Sequence, residues 1–249
     1  MSTSQNGRLQ EGDIIIPVLG LTGAGKSMFI NIATGKPKTR TSTGIVSCTY
    51  EVDKFEVVSL PSPHRIFLVD TPGFDHTYLG ELEVFGRIAN WLKDAWYTDR
   101  NFRHATIAGI IFLHDIAHDN YSSLNNAILT VQRLSASHSL RNVILTTTNW
   151  SNIEPGERQK QLANTAWGNL ISLGARPDQF TGTQDSAWAI IESIAQQPWK
   201  EPLSIQRDIG ASRIRSSTTQ SSVRKEEGRV RKRDIWYSTT KRVLRSLFR

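Results

Sequence analysis

A glycine-rich turn sits between the apolar run IIIPVL (14–19) and the segment MFINIA (28–33), and no other feature limits the fold of this chain as much. The turn reads GLTGAGKS over residues 20–27: a glycine, four residues, then Gly-Lys-Ser. Between a strand and a helix, such a turn aims successive backbone N–H groups into one concavity, and the helix N-terminus adds its partial positive charge there. Phosphate oxygens fit that environment. The candidate cradle is Gly20, Thr22, Gly23, Ala24, Gly25, Lys26, Ser27 and Met28. Lys26 is placed to reach the β and γ phosphates, and the Ser27 hydroxyl to bind Mg²⁺.

The surrounding pattern agrees. From Asp13 to Ile194, short β-rich runs (DIIIPVL, RIFLVD, TIAGIIFL, NVILTTT) alternate with helical periods. Leu82, Phe85, Ile88, Ala89, Leu92 and Trp96 form one helical face; Leu124, Ala127, Ile128, Val131 and Leu134 form a second. A third helix is predicted to hold Leu162, Ala166, Leu170 and Ile171, and a last one Trp188, Ile191 and Ile194. Strands separated by helical patterns imply crossover connections and a mainly parallel sheet covered on both faces. YEVDKFEVVSL (50–60) and RIFLVD are joined only by PSPH, too short for a crossover, so they are expected to pair antiparallel at an edge. Pro17 is discordant, because a missing N–H is awkward in a central strand.

The charge is unevenly distributed. Residues 203–249 carry 13 Lys and Arg against 4 Asp and Glu, a net of +9 in a chain of +7, which leaves −2 for residues 1–202. A nucleic-acid-binding surface needs basic residues clustered on the folded part, so no specific nucleic acid is expected. The single cysteine, Cys48, excludes an internal disulfide framework and favours a reducing, cytoplasmic setting. The longest apolar stretch, IAGIIFL (107–113), is far short of the roughly 20 residues of a spanning helix. The expected organisation is a flexible N-terminus (1–12), one α/β domain (13–202), and a basic linker ending in an amphipathic helix (203–249). In that helix Trp236, Val243, Leu244, Leu247 and Phe248 fall at helical spacing beside Arg233, Lys241, Arg242, Arg245 and Arg249. Peripheral contact with an anionic membrane is one expectation for it, docking on the domain or a second subunit the other.

A second phosphate motif lies in LVDTPG (68–73), which closes an apolar strand in the pattern DxxG. There Asp70 is the candidate holder of a Mg²⁺-bound water, and the Gly73 N–H the candidate γ-phosphate contact. Both motifs fall at the carboxyl ends of parallel strands, where such sheets bind ligands.

GLTGAGKS, SCT (47–49), DTPGF (70–74), IAGIIFLH and TTNW (147–150) together resemble the fungal G-domain proteins near the septins and the immunity-associated GTPases, within the Ras-like P-loop class. The resemblance covers residues 13 to about 195. It implies a Ras-like three-layer sandwich, Mg²⁺ with GTP or GDP, and Thr49 as a switch threonine that completes the metal shell and senses the γ phosphate; Thr43 competes for that role. Guanine selectivity in that class comes from an [NT]KxD segment after the fifth strand. Here the segment reads TNWSN (148–152), so the acid position is Ser151 if aligned by Thr148 and Asn152 if aligned by Asn149. Neither is a carboxylate, and guanine preference rests on kinship alone. Thr148, Asn149 and Trp150 remain the candidate base contacts; Trp150 either lies over the purine or caps the core. The SA of QDSAW (184–188) is either a loop touching the base or the first turn of the last helix.

Hydrolysis needs a group that orients water just after DxxG, where this chain has Phe74. Asp75 and His76 follow, with His114 and His118 in FLHDIAHD; His76 is the candidate catalytic group. Turnover of roughly 10⁻³ per second or slower is expected unless a partner or second copy completes the site. A GTPase switch read by an effector or a homodimer is the first functional expectation. A nucleotide-binding scaffold with little turnover is the second, and a small-molecule kinase, lacking any acceptor or lid pattern, the third.

Overall fold

The computed structural model describes residues 9–35, 52–58, 60, 62–75, 81–96, 106–117, 121–135, 140–150 and 155–196. Thr43, Cys48, Thr49, His76, His118, Ser151, Asn152 and the basic tail lie outside them, as does most of the expected N-terminal segment.

Among the described residues, seven strands form one sheet: β1 (Ile14–Gly20), β2 (Asp53–Glu56), β3 (Ile66–Asp70), β4 (Thr106–Ile107), β5 (Ile110–Asp115), β6 (Val143–Thr148) and β7 (Arg176–Gln179). The order is β2-β3-β1-β5-β6-β7, with β4 beside β1. Every pairing is parallel except β2 with β3, the expected edge hairpin. Strand β2 is shorter than its sequence run, although Val57 N–H still donates to the Ile66 carbonyl at 2.9 Å.

Among the described residues, six helices cover the sheet: α1 (Lys26–Thr34), α2 (Glu81–Trp96), α3 (Tyr121–Leu134), α4 (Pro155–Asn164), α5 (Gly168–Ser172) and α6 (Gln184–Ala195). Phe29, Ile30 and Ala33 of α1 join Ile190, Ile191 and Ile194 of α6 on one face. Phe85 and Ile88 of α2, Leu124 and Val131 of α3, Leu162 of α4 and Leu170 of α5 share the core on the other. The strands divide by parity as a pleated sheet must: Ile15 and Leu19 enter one core, Ile14, Ile16 and Val18 the other. The three-layer sandwich is the expected one.

Two departures have local causes. The run TIAGIIFL is two strands, not one. Ile15 pairs with Ile107 and Val18 with Ile111, so β4 and β5 carry one residue more than β1 over this span, a β-bulge at Ala108–Gly109. Asp13 and Ile15 carbonyls accept N–H groups from Thr106 and Ala108, so odd residues of β1 face this side. Pro17 therefore turns its nitrogen toward the bulge, where the ladder is interrupted and no N–H is required.

The third helix is also divided. Trp167 is fully buried, and its N–H reaches back to the Leu162 carbonyl at 2.9 Å, closing a wider turn that ends α4 before Gly168 opens α5. Leu162 and Leu170 still share one core, which is why helical spacing read them as one element.

The bulge supplies a stability prediction. A Cβ on Gly109 would run into the Asn142 carbonyl oxygen, which already accepts the Ile110 N–H, and would lie 2.9 Å from Ile194 Cγ2. Gly109→Ala should cost about 2 kcal/mol or more, because backbone on one side and a packed core on the other leave no room to shift. Urea unfolding of the two proteins measures it.

Candidate functional site

The chain leaves β1 toward β3 on one side and β5 on the other, so a crevice opens above the carboxyl end of β1. Gly20, Asp70, Asp115 and Thr148 all end strands there. Gly25 stands at the N-cap of α1, where a Ser, Thr or Asp would fold a side chain over the first turn. Met28, in that first turn, is 48% exposed.

Lys26 differs from the solvent-facing position its place in the turn suggests. It is buried, and its Nζ donates to the Leu21 carbonyl at 2.8 Å and the Gly20 carbonyl at 3.2 Å. The ammonium lies across the mouth of the loop, its position fixed by backbone.

Ser27 and Asp70, 43 residues apart in sequence, are brought together: Ser27 Oγ donates to Asp70 Oδ2 at 2.9 Å. Asp70 is buried, and its Oδ1 has no hydrogen-bond partner among the described residues. Burial pushes the carboxyl above its ordinary value, while the Lys26 charge, the Ser27 hydroxyl and the Thr71 N–H pull it down. An orphaned carboxylate oxygen beside a hydroxyl is a set of hard oxygen donors that fits Mg²⁺.

Gly73 packs against the cradle. A Cβ there would strike the Thr22 side chain and come within 2.8 Å of Thr22 Cα. Phe74 donates its N–H to the Gly20 carbonyl at 3.3 Å and buries its ring in the core among Leu21, Val69 and Val84. Asp75, next along, accepts the Thr22 N–H at 2.5 Å, a contact that the sequence pattern did not single out.

At the base side, Thr148 Oγ1 lies 3.1 Å from the Ala24 carbonyl and 3.4 Å from that of His114, which ties the end of β6 to the cradle. Asn149 adopts a left-handed φ of 62° and directs Nδ2 at both oxygens of Asp115, at 3.2 and 3.3 Å. Trp150 donates Nε1–H to the Thr147 carbonyl at 3.3 Å and packs its ring against the core. His114 is not a loop residue: it belongs to β5 and is buried, edge-on to Trp167 at 6.1 Å. Ser186 and Ala187 lie inside α6, whose N-cap Thr183 accepts the Ser186 N–H. The loop that ends the neighbouring strand is instead Phe180–Thr183, hidden from sequence reading because the polar β7 before it gives no strand signal.

A family model described as 50S ribosome-binding GTPase matches residues 15–149. No curated protein matches the chain by sequence. Among solved structures, Toc33 from Arabidopsis thaliana in complex with Mg²⁺ and GMPPNP superposes with a TM-score of 0.55 at 14% identity, over 75% of this chain and 86% of that one. A structure of the chloroplast translocon components atToc33 and psToc159, described by the importance of dimerization for their GTPase activity, gives 0.58 at 12% identity, over 76% and 85%. Era in complex with MgGDPNP and a segment of 16S ribosomal RNA gives 0.52 at 16% identity, over 77% and 59%. At these identities the likeness is one of fold.

The buried carboxyl yields a test with a defined sign. Because the folded-state pKa of Asp70 is raised, its penalty on folding is absent below the ordinary value of 3.8 and fully present above the raised one. Without Mg²⁺, Asp70→Asn should therefore raise the melting temperature at pH 7 and leave it unchanged at pH 3, while removing any gain on adding Mg²⁺ with nucleotide. Thermal melts at both pH values, with and without the metal, check both halves.

Proposed function

The chain belongs to the 50S ribosome-binding GTPase family, and from that premise we propose a Mg²⁺-dependent switch in which GTP and GDP occupy the cradle of residues 20–28 and are turned over slowly. The observation that carries the reading is the convergence of Lys26, the Ser27–Asp70 pair and Gly73 on one strand end. Lys26 supplies positive charge to the β and γ phosphates. Ser27 and Asp70 hold Mg²⁺ and its water, Gly73 offers its N–H to the γ phosphate, and Thr148, Asn149 and Trp150 border the base. When bound, Mg²⁺ neutralises charge developing on the phosphates. Thr49 is proposed as the switch threonine on the resemblance to the septin and immunity-associated families alone, and His76 as the water-side histidine on its place just after DxxG.

One observation favours a scaffold with little turnover as the second reading: Phe74, at the position of a water-orienting glutamine, is locked in the core. A homodimer or effector that completes the site would reconcile the two, and the dimerization described for the chloroplast translocon components supports looking for one.

Nucleotide titration separates these readings. GTP and GDP should bind, and Lys26→Ala should lose about a hundredfold in affinity, the scale of charge-assisted bonds to phosphate. The fold should survive, since Leu21 and Gly20 carbonyls keep their bonds from Ala24 and Phe74 N–H. Preference for GTP over ATP should be weak and sharpen in Ser151→Asp. Phosphate release that rises with protein concentration marks an assembling switch; none at any concentration marks a scaffold. Unchanged affinity in Lys26→Ala refutes the phosphate site.

The organisation proposed around this site is a G domain of residues 13–202 in a reducing cytoplasm, followed by a basic tail that rests on anionic membrane. The net +9 of residues 203–249 and the apolar spacing near their end support it. Salt-sensitive co-sedimentation with anionic vesicles, lost on deleting residues 230–249, is the expected result; no binding at low salt leaves the tail as a docking helix.

A further inference from the structure

We propose that Asp75 is a specificity-determining residue of the cradle, which favours a diphosphate over a triphosphate by occupying the Thr22 N–H that a third phosphate would reach. The inference rests on reading residues 20–28 as a nucleotide site.

Three observations meet at this point. First, Thr22 N–H donates to Asp75 Oδ1 at 2.5 Å across 53 residues of sequence, so a carboxylate is already bound to a cradle amide. Second, the position is enforced. Phe74 is anchored on both sides, by its ring in the core and by its N–H on the Gly20 carbonyl, and Gly73 packs against Thr22 so closely that a Cβ would collide. Asp75 follows directly, so its backbone starts beside the cradle. Third, Thr22 lies at the DxxG end of the loop, beside Gly73 and away from the helix end, where the backbone N–H groups of the cradle serve the α and β phosphates. The Thr22 hydroxyl is buried here without a hydrogen-bond partner among the described residues, so this end of the loop has unused polar capacity.

An anion on a cradle N–H competes with a phosphate oxygen for the same donor, and repels it as well. The bond to Asp75 is exposed to water, so it can be given up at modest cost. The α and β phosphates do not meet this competition. The third phosphate does, and Asp75 thereby sets the ratio of the two affinities rather than their common level.

Calorimetric titration of the full chain with GDP and with a non-hydrolysable GTP analogue, both in Mg²⁺, tests this in wild type, Asp75→Asn and Asp75→Ala. Asn removes the charge at constant size; Ala removes the acceptor too. In both variants affinity for the triphosphate should rise by about tenfold while that for the diphosphate stays within about twofold, an order-of-magnitude change in ratio. Equal changes for both nucleotides, or a fall in triphosphate affinity, would overturn the proposal while leaving the nucleotide site intact. Wild-type protein that binds neither nucleotide would overturn the site reading itself, and this inference with it.

Discussion

One backbone oxygen organises the carboxyl edge of the sheet. The Gly20 carbonyl, last in β1, accepts both Lys26 Nζ at 3.2 Å and the Phe74 N–H at 3.3 Å. The end of the central strand, the cradle lysine and the DxxG loop are thus tied at a single atom. The same residue must be glycine, because a Cβ would run into the Leu113 carbonyl of β5 and meet Ala24 Cβ at 3.3 Å. Close approach of β1 to β5 therefore comes first. The loop geometry, the burial of Lys26 and the placement of Gly73 all follow from it.

The electrostatics of the site depend on that arrangement. Lys26 and Asp70 are both buried at the strand ends, yet the ammonium bonds to carbonyls and the carboxylate to a hydroxyl. Their attraction acts through space and only partly offsets the cost of burying the acid, whose proton affinity stays raised. A site held this way spends stability to keep one oxygen without a partner. A divalent metal meeting Asp70 and a phosphate meeting Lys26, as proposed for this site, would relieve that imbalance. Ligand binding and folding stability would then be coupled.

What the sequence made legible divides along physical lines. Strands β1, β3, β5 and β6 are buried on both faces and read as continuous apolar runs, and α2, α3 and α6 show the 3.6-residue period. Strand β7, RPDQ, shows neither, because an edge strand needs only alternate N–H groups. Phe180 N–H donates to the Thr147 carbonyl, so even positions face β6 and Pro177 faces outward without loss. Without a signal for β7, Ser186–Ala187 read equally as a loop or as the first turn of the last helix; it is the helix, and the loop after β7 is Phe180–Thr183. The residues that converge at the cradle, Ser27 with Asp70 and Thr22 with Gly73, were legible because glycines and fixed spacings mark them. The bond from Thr22 to Asp75 was not, since a tertiary contact of one amide leaves no spacing to read.

The base side shows why the two halves of such a site diverge. The proposed phosphate site is built largely from backbone: the cradle N–H groups, the Gly20 and Leu21 carbonyls that hold Lys26, and the bare face of Gly73. Few substitutions are tolerated by geometry that tight. The candidate base contacts are side chains at the start of the loop after β6, which is tied to the cradle at Thr148, whose hydroxyl binds it to the Ala24 carbonyl. Beyond Thr148 the chain uses Asn149 in a left-handed conformation against Asp115, and Trp150 against the core. The tie to the cradle is present in a segment, TNWSN (148–152), that carries no carboxylate. That tie runs from one hydroxyl to one carbonyl, so it places the end of β6 against the cradle without reference to the side chains that follow.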